Sequence, residues 1–339
     1  MNPIDPELNS ILDVRGLTKH FPVGVFKRSR QVHAVEDASF TVQRGQVVAL
    51  VGESGSGKTT TIRMIARLIP VTHGEILFKG EDILKTEPRQ ASLGYRRQVQ
   101  LIFQDPFSSL NPVHTIEHHL ARPLIIHKKA SGRQQIHDRV CDLLETVDLK
   151  PAAEIANRYP HQLSGGQRQR VAIARALAVD PELILADEPI SMLDVSIRMG
   201  VLNLIERLKE ERGISYVYIT HDLASARYIG DQIMVMYAGH MVEGGESEAI
   251  MGNAAHPYTQ LLLSAVPNPH SGLRTNKAAR ARGEVPSLID PPPGCPFAAR
   301  CMKVMDICRQ VMPDQATVES GHWVRCHLFG PDSKAANPS

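Results

Sequence analysis

The chain has 339 residues, enough for two domains or for one large domain with an extension. Hydrophobic residues at 42% and charged residues at 22% describe a folded globular protein and exclude a disordered one. A formal charge of +2, from 38 basic and 36 acidic residues, is too even a balance for a sequence-independent nucleic-acid binder.

The start, "MNPIDPELNSILDVRGL", places acids and prolines where a signal peptide needs basic residues and then an apolar core. The densest apolar runs, "QVVALVG" and "PELILA", fall far short of the roughly 18 residues that a membrane span needs. A cytoplasmic protein with reduced thiols is therefore expected, acting at a membrane only by docking on something already embedded.

Residues 47–68, "VVALVGESGSGKTTTIRMIARL", read as a short strand, a glycine-rich loop and a helix. The loop fits G-x-x-x-x-G-K-S/T at Gly52, Gly57, Lys58 and Thr59, and its contacts would also take in Ser54, Gly55 and Thr60. Glycines let the backbone wrap closely and turn its N–H groups toward a phosphate, while the helix start adds a favourable field. Lys58 can reach the β- and γ-phosphates and the Thr59 hydroxyl can ligate Mg²⁺. A chance match in a chain of this composition is on the order of one per cent.

Across roughly 92–168 the apolar spacing turns helical, most clearly in "IHDRVCDLLETVDL". Cys141 lies there among Val140, Leu143 and Leu144 and is expected in the core. "LSGGQRQRVAIARAL" (163–177) follows, where Ser164 and Gln167 form a helix-start box. Ser164, Gly165 and Gly166 offer backbone N–H groups at that start, a second anion site. One chain cannot readily fold both sites around one γ-phosphate, so a dimer is expected, each chain closing over its partner's nucleotide.

"PELILADEP" (181–189) is a buried-strand run ending in Asp187 and Glu188. Side chains at a parallel strand's carboxyl end emerge where such sheets bind ligands. Asp187 would hold Mg²⁺, and Glu188 would polarise the attacking water, a role worth roughly 10²- to 10⁴-fold in rate.

After Gly245 the character changes. Residues 256–270, "HPYTQLLLSAVPNPH", read as a short helix closed by prolines, and 274–294 as a proline- and alanine-rich tether. Cys295, Cys301, Cys308 and Cys326 come next, separated by five, six and seventeen residues. Spacing leaves three readings open: a 4Fe–4S cluster, a zinc ion, whose usual knuckles are closer, or plain buried thiols.

The order GESGSGKT, QDP, LSGGQ, ILADEP, SMLD, ITHD resembles the nucleotide-binding subunit of an ABC transporter, over about residues 11–245. The resemblance implies that Gln104 links Mg²⁺ and the attacking water to transmembrane subunits, and that His221 contacts the γ-phosphate. It places Asp194 in a loop crossing the dimer interface and counts it, with Ser164, Gly165, Gly166 and Gln167, among the nucleotide-binding residues. Phe21 becomes the ring stacking on adenine, with His20 as the alternative. Two departures stand out. "SMLD" replaces the commoner Ser-Ala-Leu-Asp, so Met192 is expected to force local repacking. Residues 22–32, "PVGVFKRSRQV", form a basic excursion, read as a solvated hairpin tip or as a surface facing lipid headgroups or a permease loop.

"HPYTQLLL", "GCPFAARC", a third Cys and "GHWVRCH" resemble the C-terminal extension of the dipeptide, oligopeptide and nickel importer ATPases. That resemblance implies a 4Fe–4S cluster on Cys295, Cys301, Cys308 and Cys326, with His322 or His327 able to replace a thiolate in a zinc variant.

The expectation is an α/β fold. Residues 1–245 would form a P-loop ABC domain with a helical subdomain at about 92–168, and 246–339 a small cysteine-bearing extension. Its function would be ATP hydrolysis powering a membrane importer for peptides or related solutes such as oligosaccharides. Expected partners are a second ATPase subunit, copy or paralogue, two permease subunits and, indirectly, an extracytoplasmic solute-binding protein. The alternative is a soluble ABC-type ATPase of translation or DNA repair.

Overall fold

The computed structural model describes residues 9–24, 30–106, 108–265 and 286–330. Its strands are Ser10–Val23 (β1), Arg30–Gln43 (β2), Val47–Val51 (β3), His73–Phe78 (β4), Glu81–Asp82 (β5), Val99–Ile102 (β6), Leu183–Asp187 (β7), Ser215–Thr220 (β8), Gln232–Tyr237 (β9), His240–Glu246 (β10), Gln315–Glu319 (β11) and His322–Arg325 (β12). They fall in two units. One takes the chain up to Val42, Val47–Thr86 and everything from Thr220; the other takes Gln43–Gln46 and Glu87–Ile219. The expected α/β class holds in both.

In the first unit the strand order is β5-β4-β1-β2-β10-β9-β3. All five side chains of "VVALV" in β3 are buried, as in a strand covered on both faces, and β3 runs parallel to β9. β2 alternates instead: Ala38, Phe40 and Val42 are buried while Asp37 and Ser39 face outward. β1 and β2 run 14 residues each. β1 pairs antiparallel with β4, so no crossover helix limits its length. Of the basic excursion, residues 25–29 lie outside the described residues; β1 ends and β2 begins on either side of them.

The tail builds onto this sheet. β12 pairs antiparallel with Glu243–Gly245 of β10, and β11 pairs with β12. Two glycines permit the approach. A Cβ on Gly244 would stand 2.7 Å from the Trp323 ring, and one on Gly245 would stand 3.0 Å from His322 Cα. Beside them Glu243, fully buried, accepts from Ala255 N–H (2.6 Å) and His256 N–H (3.0 Å) and meets His322 Nε2 at 2.7 Å.

The helix read at 256–270 spans Pro257–Ser264, and residues 266–285, including the first part of the tether, lie outside the described residues. The rest of the tether is not free. His33 N–H donates to Leu288 O at 2.8 Å, Ile289 bridges Val32, and Asp290 N–H donates to Gln31 O at 3.0 Å. Backbone groups at the start of β2 capture this segment, a pairing that composition does not reveal.

In the second unit β8, β7 and β6 are parallel neighbours in that order. β7 and β8 are buried along their whole length. The block at 92–168 is helical at Leu93–Gln98, Ile116–Ile126, Arg133–Thr146 and Ala152–Ala156, but β6 interrupts it where "VQLI" pairs with β7. Cys141 is only half-buried; Val140 and Leu144 beside it are the fully buried side chains. Among the described residues no helix is long and apolar enough to cross a membrane.

Candidate nucleotide and cysteine sites

From β3 the loop turns through Gly52–Gly57 into the helix Lys58–Ile65. Two of its glycines are required by backbone contact. A Cβ on Gly52 would stand 2.2 Å from Met236 O; one on Gly57, at φ +105°, would stand 2.5 Å from Ala34 O. Ser54 and Gly55 are exposed at the crown, while Thr59 and Thr60 are half-buried in the helix's first turn. Lys58 is buried, and its ammonium donates to Gly52 O (2.7 Å), Glu53 O (2.9 Å) and Ser56 Oγ (3.3 Å). The loop closes round its own lysine.

Phe21, near the end of β1, is exposed, with Lys19 Nζ 4.8 Å from its ring centre. His20 is engaged elsewhere: its Nε2 lies 2.5 Å from Glu36 Oε1, which His33 Nδ1 also contacts, and the two imidazoles are 4.1 Å apart. His221 is exposed just ahead of Asp222, whose carboxylate caps the helix Leu223–Ile229 through Ala224 N–H at 2.9 Å.

In the second unit β7 carries Asp187, buried, and leads into Glu188, half-buried. Glu188 has φ +44°, a left-handed conformation that costs an L residue about 1–2 kcal/mol. Its N–H is held by Ile219 O at 3.1 Å, and its Oε2 accepts from Gln104 Nε2 at 3.1 Å. Gln104 and Glu188, 84 positions apart, are thus brought together.

Ser164 caps the helix Gly165–Leu177 with the predicted box: Oγ accepts from Gln167 N–H (3.3 Å), and Gln167 Oε1 accepts from Ser164 N–H (3.0 Å). Gly166 has a second reason to be small. A Cβ there would stand 2.5 Å from Ile197 Cγ2 on the helix Val195–Arg212, so a larger residue would have to displace that side chain. Asp194 is exposed at the start of that helix and makes no side-chain cap. Met192 is 54% exposed, so the expected repacking does not arise: the longer side chain extends into solvent.

Cys295, Cys301, Cys308 and Cys326 line one small cavity in the first unit. Gly294, at φ +90°, lets Cys295 N–H reach Cys308 O at 2.8 Å, since a Cβ on it would stand 2.5 Å from that oxygen. Burial pushes the Cys295 thiol up to about 12 and the Cys326 thiol up to about 11, with the neighbouring thiols adding to the rise. A bound cation would reverse that and draw the protons off. Among the described residues no three of these sulfurs gather within 4.8 Å of one another, whereas tetrahedral zinc sets its thiolates about 3.8 Å apart. His322 Nε2 meets Glu243 Oε1 at 2.7 Å and His327 Nε2 lies 2.9 Å from Val311 O, which leaves the Nδ1 atom of each ring outside these contacts.

Sequence reasoning missed Glu53, Tyr258 and Arg300. Arg300 makes two bonds to the Glu53 carboxylate, and Tyr258 Oη accepts from Glu53 N–H. Nothing local in either segment names the partner, 247 positions away.

Residues 35–191 match the ABC transporter family, and residues 242–308 match the oligopeptide/dipeptide transporter C-terminal region, which ends short of Cys326. The chain is 43% identical over 322 residues to the dipeptide transport ATP-binding protein DppF of Haemophilus influenzae, covering 94% of this chain and 97% of that one. It is 43% identical over 324 residues to the oligopeptide transport ATP-binding protein AppF of Bacillus subtilis, covering 94% and 98%. Among solved structures, the dimeric post-hydrolysis state of the ATP-binding cassette MJ0796 bound to ADP and Pi is similar at TM-score 0.61 and 29% identity. That likeness covers 70% of this chain and 98% of the other.

Proposed function

The chain belongs to the family of ATP-binding subunits of dipeptide and oligopeptide ABC transporters, and from that premise we propose that it powers a peptide importer from the cytoplasmic face of the inner membrane. The observation that carries this reading is similarity running through cassette and tail together, over nearly the full length of both chains. The relatives are named for dipeptides and oligopeptides, which favours peptides over oligosaccharides as the solute. No observation favours a soluble ATPase of translation or DNA repair.

In this reading residues 1–245 are the cassette, with 92–168 as the subdomain facing the permeases, and 246–339 are its extension. ATP lies against Phe21 and on Gly52, Ser54, Gly55, Gly57, Lys58, Thr59 and Thr60. Thr59, Asp187 and Gln104 would hold Mg²⁺, which neutralises charge on the phosphates. Glu188 polarises the attacking water, with Gln104 bonded to it, and Lys58 and His221 stabilise the γ-phosphoryl group. A second subunit, copy or paralogue, contributes its own Ser164, Gly165, Gly166 and Gln167 from the far side. Exposed Met192 and Val195 beside Asp194 supply apolar surface for that contact. Two permease subunits and an extracytoplasmic peptide-binding protein complete the importer. Cys295, Cys301, Cys308 and Cys326 would hold a 4Fe–4S cluster that staples the tail.

The test is isolation of the tagged chain from its native membranes in mild detergent. Two multispanning proteins are expected with it, and the reconstituted assembly should hydrolyse ATP faster when a peptide-loaded binding protein is added. A chain that leaves the membranes alone, or an assembly stimulated only by a non-peptide solute, contradicts the reading.

A further inference from the structure

Every polar group of Glu53 in the phosphate loop is held. Its carboxylate takes two bonds from Arg300, Nη1 at 2.7 Å and Nη2 at 3.0 Å. Its N–H donates to Tyr258 Oη at 2.8 Å, and its C=O accepts from Lys58 Nζ at 2.9 Å and from Ser56 N–H at 3.2 Å. The Arg300 side chain is only 10% exposed. Its guanidinium stands 5.6 Å and 5.8 Å from the ring centres of Tyr237 and Phe297, and Nη1 also reaches Tyr237 Oη at 3.3 Å. Phe297, Tyr237 and Tyr258 pack on one another with ring centres 4.6–5.5 Å apart. Arg300 N–H donates to Phe297 O at 2.9 Å, so the turn between Cys295 and Cys301 fixes where the guanidinium sits.

Two consequences follow for a loop that must receive a polyanion. Lys58 has to leave the Gly52 and Glu53 carbonyls to meet phosphate, which removes the loop's own central clasp. Arg300 and Tyr258 do not need to move, and they keep Glu53 in place. The second consequence is electrostatic. A carboxylate within the phosphate loop repels the nucleotide unless it is neutralised, and a planar fork on both its oxygens neutralises and orients it at once.

We propose that Arg300 is a positioning residue of the phosphate loop, the link through which the cysteine-bearing tail holds Glu53 neutralised and oriented for nucleotide binding. It is not a catalytic residue, since it acts through Glu53. The proposal rests on the nucleotide-site reading given above, and its test separates the two.

The measurement is titration of the full-length chain with a fluorescent ATP analogue. Arg300→Met should weaken binding roughly tenfold, because it leaves a bare carboxylate in the loop that receives the phosphates. Arg300→Lys, which keeps the charge and loses the fork, should lose less. Glu53→Gln combined with Arg300→Met should regain most of the affinity, since the uncompensated charge is gone; a role confined to packing predicts no such rescue. Lys58→Ala, titrated alongside, is expected to lose the nucleotide. Retention of affinity by Lys58→Ala overturns the nucleotide-site reading itself. Loss in Lys58→Ala with unchanged affinity in both Arg300 variants overturns only the role of Arg300, as does a double variant no better than Arg300→Met. Should Arg300→Met fail to fold, Arg300→Lys decides: wild-type affinity in it counts against the proposal, and weakened affinity restored by adding Glu53→Gln supports it.

Discussion

Glu188 sits in the left-handed region while Asp187, one residue earlier, completes a regular strand. Neighbouring structure must over-determine such a residue, and here the Ile219 carbonyl and the Gln104 amide hold its backbone and side chain. Replacing Glu188 by Gln keeps the shape and removes the carboxylate proposed to polarise the attacking water. Nucleotide affinity should stay within about twofold while turnover falls at least about 100-fold. Phosphate release and analogue binding measured on one preparation check this, and undiminished release removes Glu188 from its role. At this scale legibility follows contiguity. Gly52, Gly57, Lys58 and Thr59 are readable because a phosphate loop is a contiguous run whose spacing is its geometry. The Glu53–Arg300 pair spans 247 positions and leaves no mark in either segment. Gly166 shows the opposite hazard, since packing on Ile197 and anion binding ask for the same residue.

Elements show the same division. β3, β7 and β8 are legible as unbroken apolar runs because both of their faces are covered. β11 and β12 are not, because they are short, partly exposed strands, and β10, the partner of β12, lies about eighty residues upstream in "HMVEGGE". What fastens them is Glu243 with His322, both fully buried, and the glycine pair beside it. Glu243→Ala strands the Ala255 and His256 N–H groups and the His322 ring nitrogen without their acceptor. Each unmet buried group costs about 1–3 kcal/mol. The unfolding midpoint should fall by several degrees, and limited proteolysis should cut first around β11 and β12. Glu243→Gln retains one acceptor oxygen and should fall between the two. A Glu243→Ala variant as protease-resistant as the parent shows that the β10–β12 ladder needs no such fastening.

The first unit gathers the phosphate loop and the cysteine tail, distant in sequence, into one sheet. Sequence reasoning foresees both parts but treats the tail as a tethered appendage, because proline-rich composition at 274–294 carries no sign that Leu288–Asp290 will pair with β2. The joined architecture changes what removing the proposed cluster should do. Free energy from binding a group to these four thiols is folding free energy of whatever unit contains them. For an appendage, removal would melt the tail alone and leave the nucleotide site at full stability. Here the tail supplies strands to the shared sheet and Arg300 to the phosphate loop, so the unit as a whole should weaken. Anaerobic purification is expected to give a brown protein with about four iron atoms per chain. Chelation of the iron should lower the calorimetric transition by roughly 5 °C or more, with ATP protecting that same transition. A colourless protein with stoichiometric zinc would overturn the cluster and leave the coupling argument intact. A separate low-temperature transition for the tail, with an unshifted ATP-protected transition above it, would overturn the coupling.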